Sequence, residues 1–126
     1  MKTAELTGAL LDYWTARAEG VPAEQLEIRE VPRTDWKICV RTLAWKDGSV
    51  IGCGRLDYST NWAPAGPLVE KYHLMLESNM GGEWAADCFD GDRMQWYRSK
   101  GDTPLIAICR AVVRAAFGDE VEDLPC

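Results

Sequence analysis

The stretch Tyr58-Ser59-Thr60-Asn61-Trp62 gathers a phenol, two hydroxyls, an amide and an indole, with Pro64 and Pro67 close behind. That mixture suits recognition of a flat heterocycle, stacked on its face and hydrogen-bonded along its edge. The same residues also suit a purely structural loop, in which Trp62 plugs the core while Ser59 and Asn61 hold the turn in shape. Two further features offer to hold an anion. Thr103 followed by Pro104 marks a helix start, whose free backbone N–H groups attract negative charge. Arg110 lies beside the apolar stripe of that helix, where it can grip a carboxylate or phosphate bidentately or pair with an acid such as Asp57 or Asp102. Arg17 falls on the apolar stripe of a first helix. There it reads either as a cation favoured by the helix C-terminus, its stem covering apolar surface, or as a charge aimed into a site.

General acids, bases and nucleophiles are scarce by comparison. The only histidine, His73, is out of phase with Leu74 and Leu76 and is expected at the surface. Cys39, Cys53, Cys88, Cys109 and Cys126 are odd in number, dispersed and without a C-x-x-C pair, which argues against a disulfide framework and a zinc site. Asp87, Asp90 and Asp92 fall close enough together to suggest a divalent cation. Their spacing does not match an EF-hand, however, and Asp90-Gly91 is an ordinary turn dipeptide. Gly52-Cys53-Gly54 starts a dinucleotide fingerprint but lacks its third glycine and the strand-to-helix step. No catalytic residue, metal or cofactor is assigned.

Bulk composition narrows the classes. A chain of 126 residues, 47% hydrophobic, is one ordinary domain spanning 1–126. Its net charge of −6, with no stripe of Lys and Arg, disfavours direct binding to duplex nucleic acid. Glu5 and Asp12 interrupt any secretory apolar run, and no stretch is long enough to span a bilayer, so a soluble protein of the reducing cytosol is expected.

The elements that must position these residues emerge from periodicity. Leu6, Leu10, Tyr13 and Trp14 give an amphipathic first helix between Thr7 and Gly20. Leu26–Val31 and a strand from Trp36 through Val40 to Ala44 come next, with a hairpin at Asp47-Gly48 returning through Val50 and Ile51 and a bulge near Gly52 or Gly54. Ser59–Pro67 reads as irregular, before a short helical turn at Leu68–Tyr72. Three more strands centre on Leu74 and Leu76, on Trp84, Ala86 and Cys88, and on Met94 and Trp96. The last helix carries Leu105, Cys109, Val112, Val113 and Ala116 and stops at Gly118; the acidic tail beyond either frays or docks through Val121 and Leu124. The expected fold is α+β, an antiparallel sheet of five or six strands with the N- and C-terminal helices packed on one face.

Thr3-Ala-Glu-Leu-Thr-Gly8, Ala18-Glu-Gly20, the Ser59–Ala63 loop with Gly66-Pro67, Glu83–Ala86 and Thr103–Ala107 with Arg110 together make the chain resemble the NinX-like family of tailed-phage and prophage proteins. The segment from Pro22 to Arg55 carries less of that pattern. The resemblance implies a phage accessory protein that adjusts infection inside the host cell, and it brings no established chemistry. Joined to the residues above, it gives the expectation of a non-catalytic protein that captures a small host molecule, a nucleotide-derived signal of antiviral defence, using Tyr58, Ser59, Thr60, Asn61, Trp62, Thr103, Arg110 and Arg17. The alternative is a protein-interaction module that modulates a host or phage enzyme through exposed members of the six tryptophans. A metal-dependent phosphodiesterase built on Asp87, Asp90 and Asp92 ranks third. An uncovered sheet face or edge would favour a homo-oligomer.

Overall fold

Among the described residues six antiparallel strands form, but as two separate three-stranded sheets instead of the single sheet that alternation suggests. The computed structural model describes residues 1–44, 50–79 and 81–124. A 3-10 turn at Thr3–Glu5 leads into helix α1 (Gly8–Ala18). Strands β1 (Leu26–Glu30), β2 (Lys37–Ala44) and β3 (Val50–Leu56) make the first sheet in the order β1-β2-β3. The β2–β3 register shifts between Leu43 and Ala44, placing a bulge beside Gly52 as the glycines suggest. The Asp47-Gly48 turn lies outside the described residues.

Chain geometry explains why the sheets separate. β3 runs into a turn at 57–60 and then into helix α2 (Trp62–Lys71), so its hydrogen-bonding edge is not continued by the next strand. That helix occupies most of the segment read as irregular. Asn61 caps it, and Pro64 falls in its first turn, where a missing N–H costs nothing. Pro67 forfeits one further bond, offset by burial of Ala65 and Leu68. Strands β4 (Met75–Ser78), β5 (Trp84–Asp90) and β6 (Gln95–Gly101) then form the second sheet, and helix α3 (Pro104–Phe117) ends the ordered succession. α1 packs on the first sheet, α3 on the second, and the two helices pack on each other. The expected common face for both helices is therefore replaced by a helix pair between two sheets.

Helix α3 starts and stops where its signals put it. Thr103 Oγ1 accepts the Ile106 N–H at 3.2 Å, and Gly118 closes the helix at φ 86°, a conformation that disfavours any side chain. Leu105, Ile108, Ala111 and Val112 enter a cluster with Ala65, Leu68, Leu74 and Ala86. Cys109 and Val113 enter a second cluster with Leu6, Leu11, Trp14 and Val121. Ala116, assigned to the stripe by spacing, is exposed, because the helix by then has run past both clusters. The acidic tail is docked: Val121 is buried, its N–H donates to the Met1 carbonyl, and Thr3 donates through its N–H to Asp119 and through Oγ1 to Gly118.

Strand β6 ends in a tight approach to the first turn of α3. A Cβ on Gly101 would lie 2.7 Å from Ile106 Cγ2 and 2.8 Å from the Ala107 nitrogen. Backbone cannot yield as a flexible side chain does, so Gly101→Ala is expected to destabilise the protein by roughly 1–3 kcal/mol. Urea denaturation would show it as a lower midpoint at an unchanged slope.

Candidate functional site

The Tyr58–Trp62 segment is largely committed to structure. Asn61 Oδ1 accepts the Ala63 N–H at 3.1 Å as the cap of α2, while its Nδ2 donates to the Asp57 carboxylate at 3.3 Å. Thr60 closes a turn onto the Asp57 carbonyl through its N–H at 3.0 Å. Tyr58 packs against both core clusters. Ser59 is buried, and its N–H donates to Asp12 Oδ1 at 2.7 Å. Trp62 does not plug the core; it is half-exposed at the first residue of α2.

Thr103 and Arg110 both serve α3. Thr103 spends its hydroxyl on the helix cap. Arg110 pairs with neither acid expected for it. Its Nε donates to the Leu6 carbonyl at 2.9 Å and Nη1 to the Lys100 carbonyl at 2.8 Å, tying the start of α1 to β6 across α3. Burial pulls this guanidinium down from its ordinary value, and the charge of Asp102 opposes that pull. Arg17 sits half-buried in the last turn of α1.

Arg110 also lines a cavity of about 550 Å³ into which Lys2, Arg98, Lys100 and Arg114 are brought, with Glu83, Asp102, Asp119 and Glu120 among the lining acids. A second cavity, of about 630 Å³, shares Ser99, Arg114 and Asp119 with the first and continues past Tyr72, Cys88 and Tyr97. The two form one trough along the side of α3. Arg114 lies 4.6 Å over the Tyr97 ring and 3.0 Å from Asp119, which holds it at the junction. The Tyr58–Trp62 residues line neither cavity, so the structure brings Arg110 to a groove of mixed charge without bringing the aromatic loop to it. The trough's aromatic groups are Tyr72, Tyr97 and Phe89 instead. Lys2, Lys100 and Arg114 give no signal in the sequence because they converge only through tertiary pairing: residues 2 and 120 bridge, and β6 lies against α3.

This architecture has relatives among phage proteins. A family model described as Bacteriophage P22, NinX matches residues 2–115. The chain belongs to the phage P22 NinX family. No curated protein matches it. The NinX span covers all six strands, α1, α2 and all but the end of α3, including the Pro22–Arg55 segment in which the sequence shows less of the family pattern.

Chemistry in this NinX fold is limited by environment. Burial pushes the Cys39 and Cys109 thiols up to about 12, Asp12 adding to the rise at both, and burial with the Asp90 charge raises Cys88, which lines the trough. All three are poor thiolates. His73 is exposed in the turn after α2. Asp87 faces outward and binds Arg98, and Asp90 Oδ1 accepts the N–H groups of Asp92 and Arg93, a turn-closing arrangement. Among the described residues no three His, Cys, Asp or Glu side chains group as a metal site. No described helix is long and apolar enough to cross a membrane.

Asp12 is the buried charge that periodicity misses. The signal is a lone acid inside Leu10-Leu-Asp-Tyr-Trp14. Burial raises its carboxyl, the N–H and hydroxyl of Ser59 pull it back, Asp57 adds to the rise and Arg55 opposes it. The Ser59 hydroxyl favours the charged form without completing a hydrogen bond of good geometry. Because the folded state holds this proton more tightly than the unfolded chain, the group costs stability as pH rises through its raised value. Asp12→Asn keeps an acceptor for Ser59 without the charge. It is expected to match the parent at low pH and to become the more stable of the two as pH climbs above the ordinary carboxylate range. Urea midpoints over a pH series test this, and a variant weaker at neutral pH would show that the charged hydrogen bond outweighs the burial cost.

Proposed function

We propose that this NinX-family protein is a phage accessory protein that binds a small anionic host molecule, of the nucleotide-derived kind used in antiviral signalling, and sequesters it unchanged in the host cytosol. The observation that carries the reading is the convergence of Lys2, Lys100, Arg110 and Arg114 on one groove of a chain whose net charge is −6. A phosphate there would meet cations drawn from three separate segments, and the adjoining cavity offers Tyr97 and Tyr72 to the flat face of a base. The site moves from the Tyr58–Trp62 loop to the side of α3, keeping Arg110 from the expected constellation. The lining offers little for turnover: its thiol is raised, Asp90 closes a turn, Asp119 and Glu83 pair with Arg114 and Lys100, and the histidine lies elsewhere.

A second reading, a protein-interaction module, is favoured by a different observation. Trp36 and Trp96 are exposed by 73% and 55%, and Trp62 by half, where a monomer gains nothing from them.

The two readings separate in one set of measurements. Purified protein incubated with adenine nucleotides and cyclic nucleotides is expected to deplete one of them from solution and return it intact on heating. Lys2→Gln combined with Lys100→Gln should weaken that uptake at least about tenfold, roughly 1.4 kcal/mol. Asn61→Ala should leave uptake unchanged while lowering stability by about 1 kcal/mol through the lost cap. A chemically altered ligand would make the protein an enzyme. No uptake of any nucleotide, with a stoichiometric protein captured through the tryptophans, would replace the proposal with the second reading.

A further inference from the structure

We propose that the trough selects a ribonucleotide over its 2′-deoxy counterpart, Asp102 and Glu120 accepting hydrogen bonds from the sugar hydroxyls while Lys2 and Lys100 hold the phosphate. That selection rests on the nucleotide reading and adds to it the sugar that the same groove requires. Glu83, Asp102, Asp119 and Glu120 line the cavity beside the lysines, and two of these acids are already engaged. Asp119 lies 3.0 Å from Arg114, and Glu83 lies 3.8 Å from Lys100. Asp102 and Glu120 are exposed, and among the described residues their carboxylates accept no hydrogen bond and close no ion pair. The charge of Asp102 is felt at Arg110, whose N–H groups go to the Leu6 and Lys100 carbonyls instead.

Placement ties each unpaired acid to a lysine. Lys2 and Glu120 are partners in an antiparallel bridge, so their side chains leave the backbone on the same side, with Cβ atoms about 5 Å apart. Lys100 and Asp102 flank Gly101 at the end of β6, and both line the cavity. A phosphate that reaches either lysine therefore arrives beside an unpaired carboxylate. For a guest that carries acceptors only, that neighbourhood is repulsive. A guest with hydroxyl donors close to its phosphate turns the same carboxylates into hydrogen-bond acceptors, and bonds to a charged group are among the stronger ones. A ribonucleotide has that arrangement, since its 2′- and 3′-hydroxyls stand on the sugar between base and phosphate. Acceptance of the ribose 2′-hydroxyl by an acidic side chain is also how dinucleotide-binding folds hold NAD. Deleting that hydroxyl removes a donor and leaves the repulsion between carboxylate and phosphate unrelieved, so discrimination has two sources.

Isothermal titration with adenosine mono-, di- and triphosphate, each against its 2′-deoxy counterpart, is expected to show the ribo form held at least about tenfold more tightly. In the double variant Asp102→Ala, Glu120→Ala that ratio should fall towards one, the ribo form weakening while the deoxy form binds no less tightly than before. Both side chains are exposed and unpaired, so the far-UV circular dichroism spectrum should not change. Acids with a purely structural role would weaken both forms alike and leave the ratio where it was, which would overturn the assignment. Equal affinity of the parent for the two sugars would overturn the selection and leave the nucleotide reading standing. Absence of binding by every ribo and deoxy form would remove both together.

Discussion

Burial of α3 on two opposed flanks is the constraint on which the rest of this fold depends. Ile108 and Val112 enter one cluster and Cys109 and Val113 the other, all without measurable exposure. Each fully buried aliphatic side chain of this size stabilises the fold by about 1.5–3 kcal/mol. A helix so enclosed needs cover on both sides, which one sheet with two helices on a common face cannot supply. The second sheet and α2 cover one flank, and α1 with the docked tail covers the other. Tyr58, touching both clusters, stands where the two halves meet.

Much of this is legible in the sequence, and the failures share a cause. Caps, stops and strand alternation are local, so Thr103, Gly118, β1 and the pairing of β2 with β3 can be read directly. Partitioning six strands into two sheets depends on the segment after β3, where two prolines mask a helix. Pro64 is tolerated because it sits in the first turn, and Asn61 supplies the cap, although by residue type the same segment suits ligand recognition. A polar residue that satisfies its own backbone neighbours looks, in one dimension, the same as one waiting for a ligand.

Arg110 shows the distinction at its sharpest. Spacing places it beside the apolar stripe, and an arginine there does reach two acceptors at once, but both are carbonyls of this chain. Without the guanidinium, the part-buried Leu6 bond and the exposed Lys100 bond would both be lost, and with them the tie between the start of α1 and β6. Such a residue shapes a groove more than it fills one. Its remaining N–H groups and its charge still contribute field to the cavity it lines. Lys2 and Lys100 are exposed and, among the described residues, held by no ion pair shorter than 3.8 Å, so they are better placed to meet an arriving anion.

The same division between spent and unspent side chains runs through the trough beside α3. In the trough, cations from the first residues, β6 and α3 meet across segments that have no sequence proximity, interleaved with Glu83, Asp102, Asp119 and Glu120. Arg98, which also lines the trough, is already held by Asp87 and Glu77 and has little left to offer a guest. A small charged guest would gain there chiefly from Lys2 and Lys100, whose ammonium groups no short ion pair among the described residues holds.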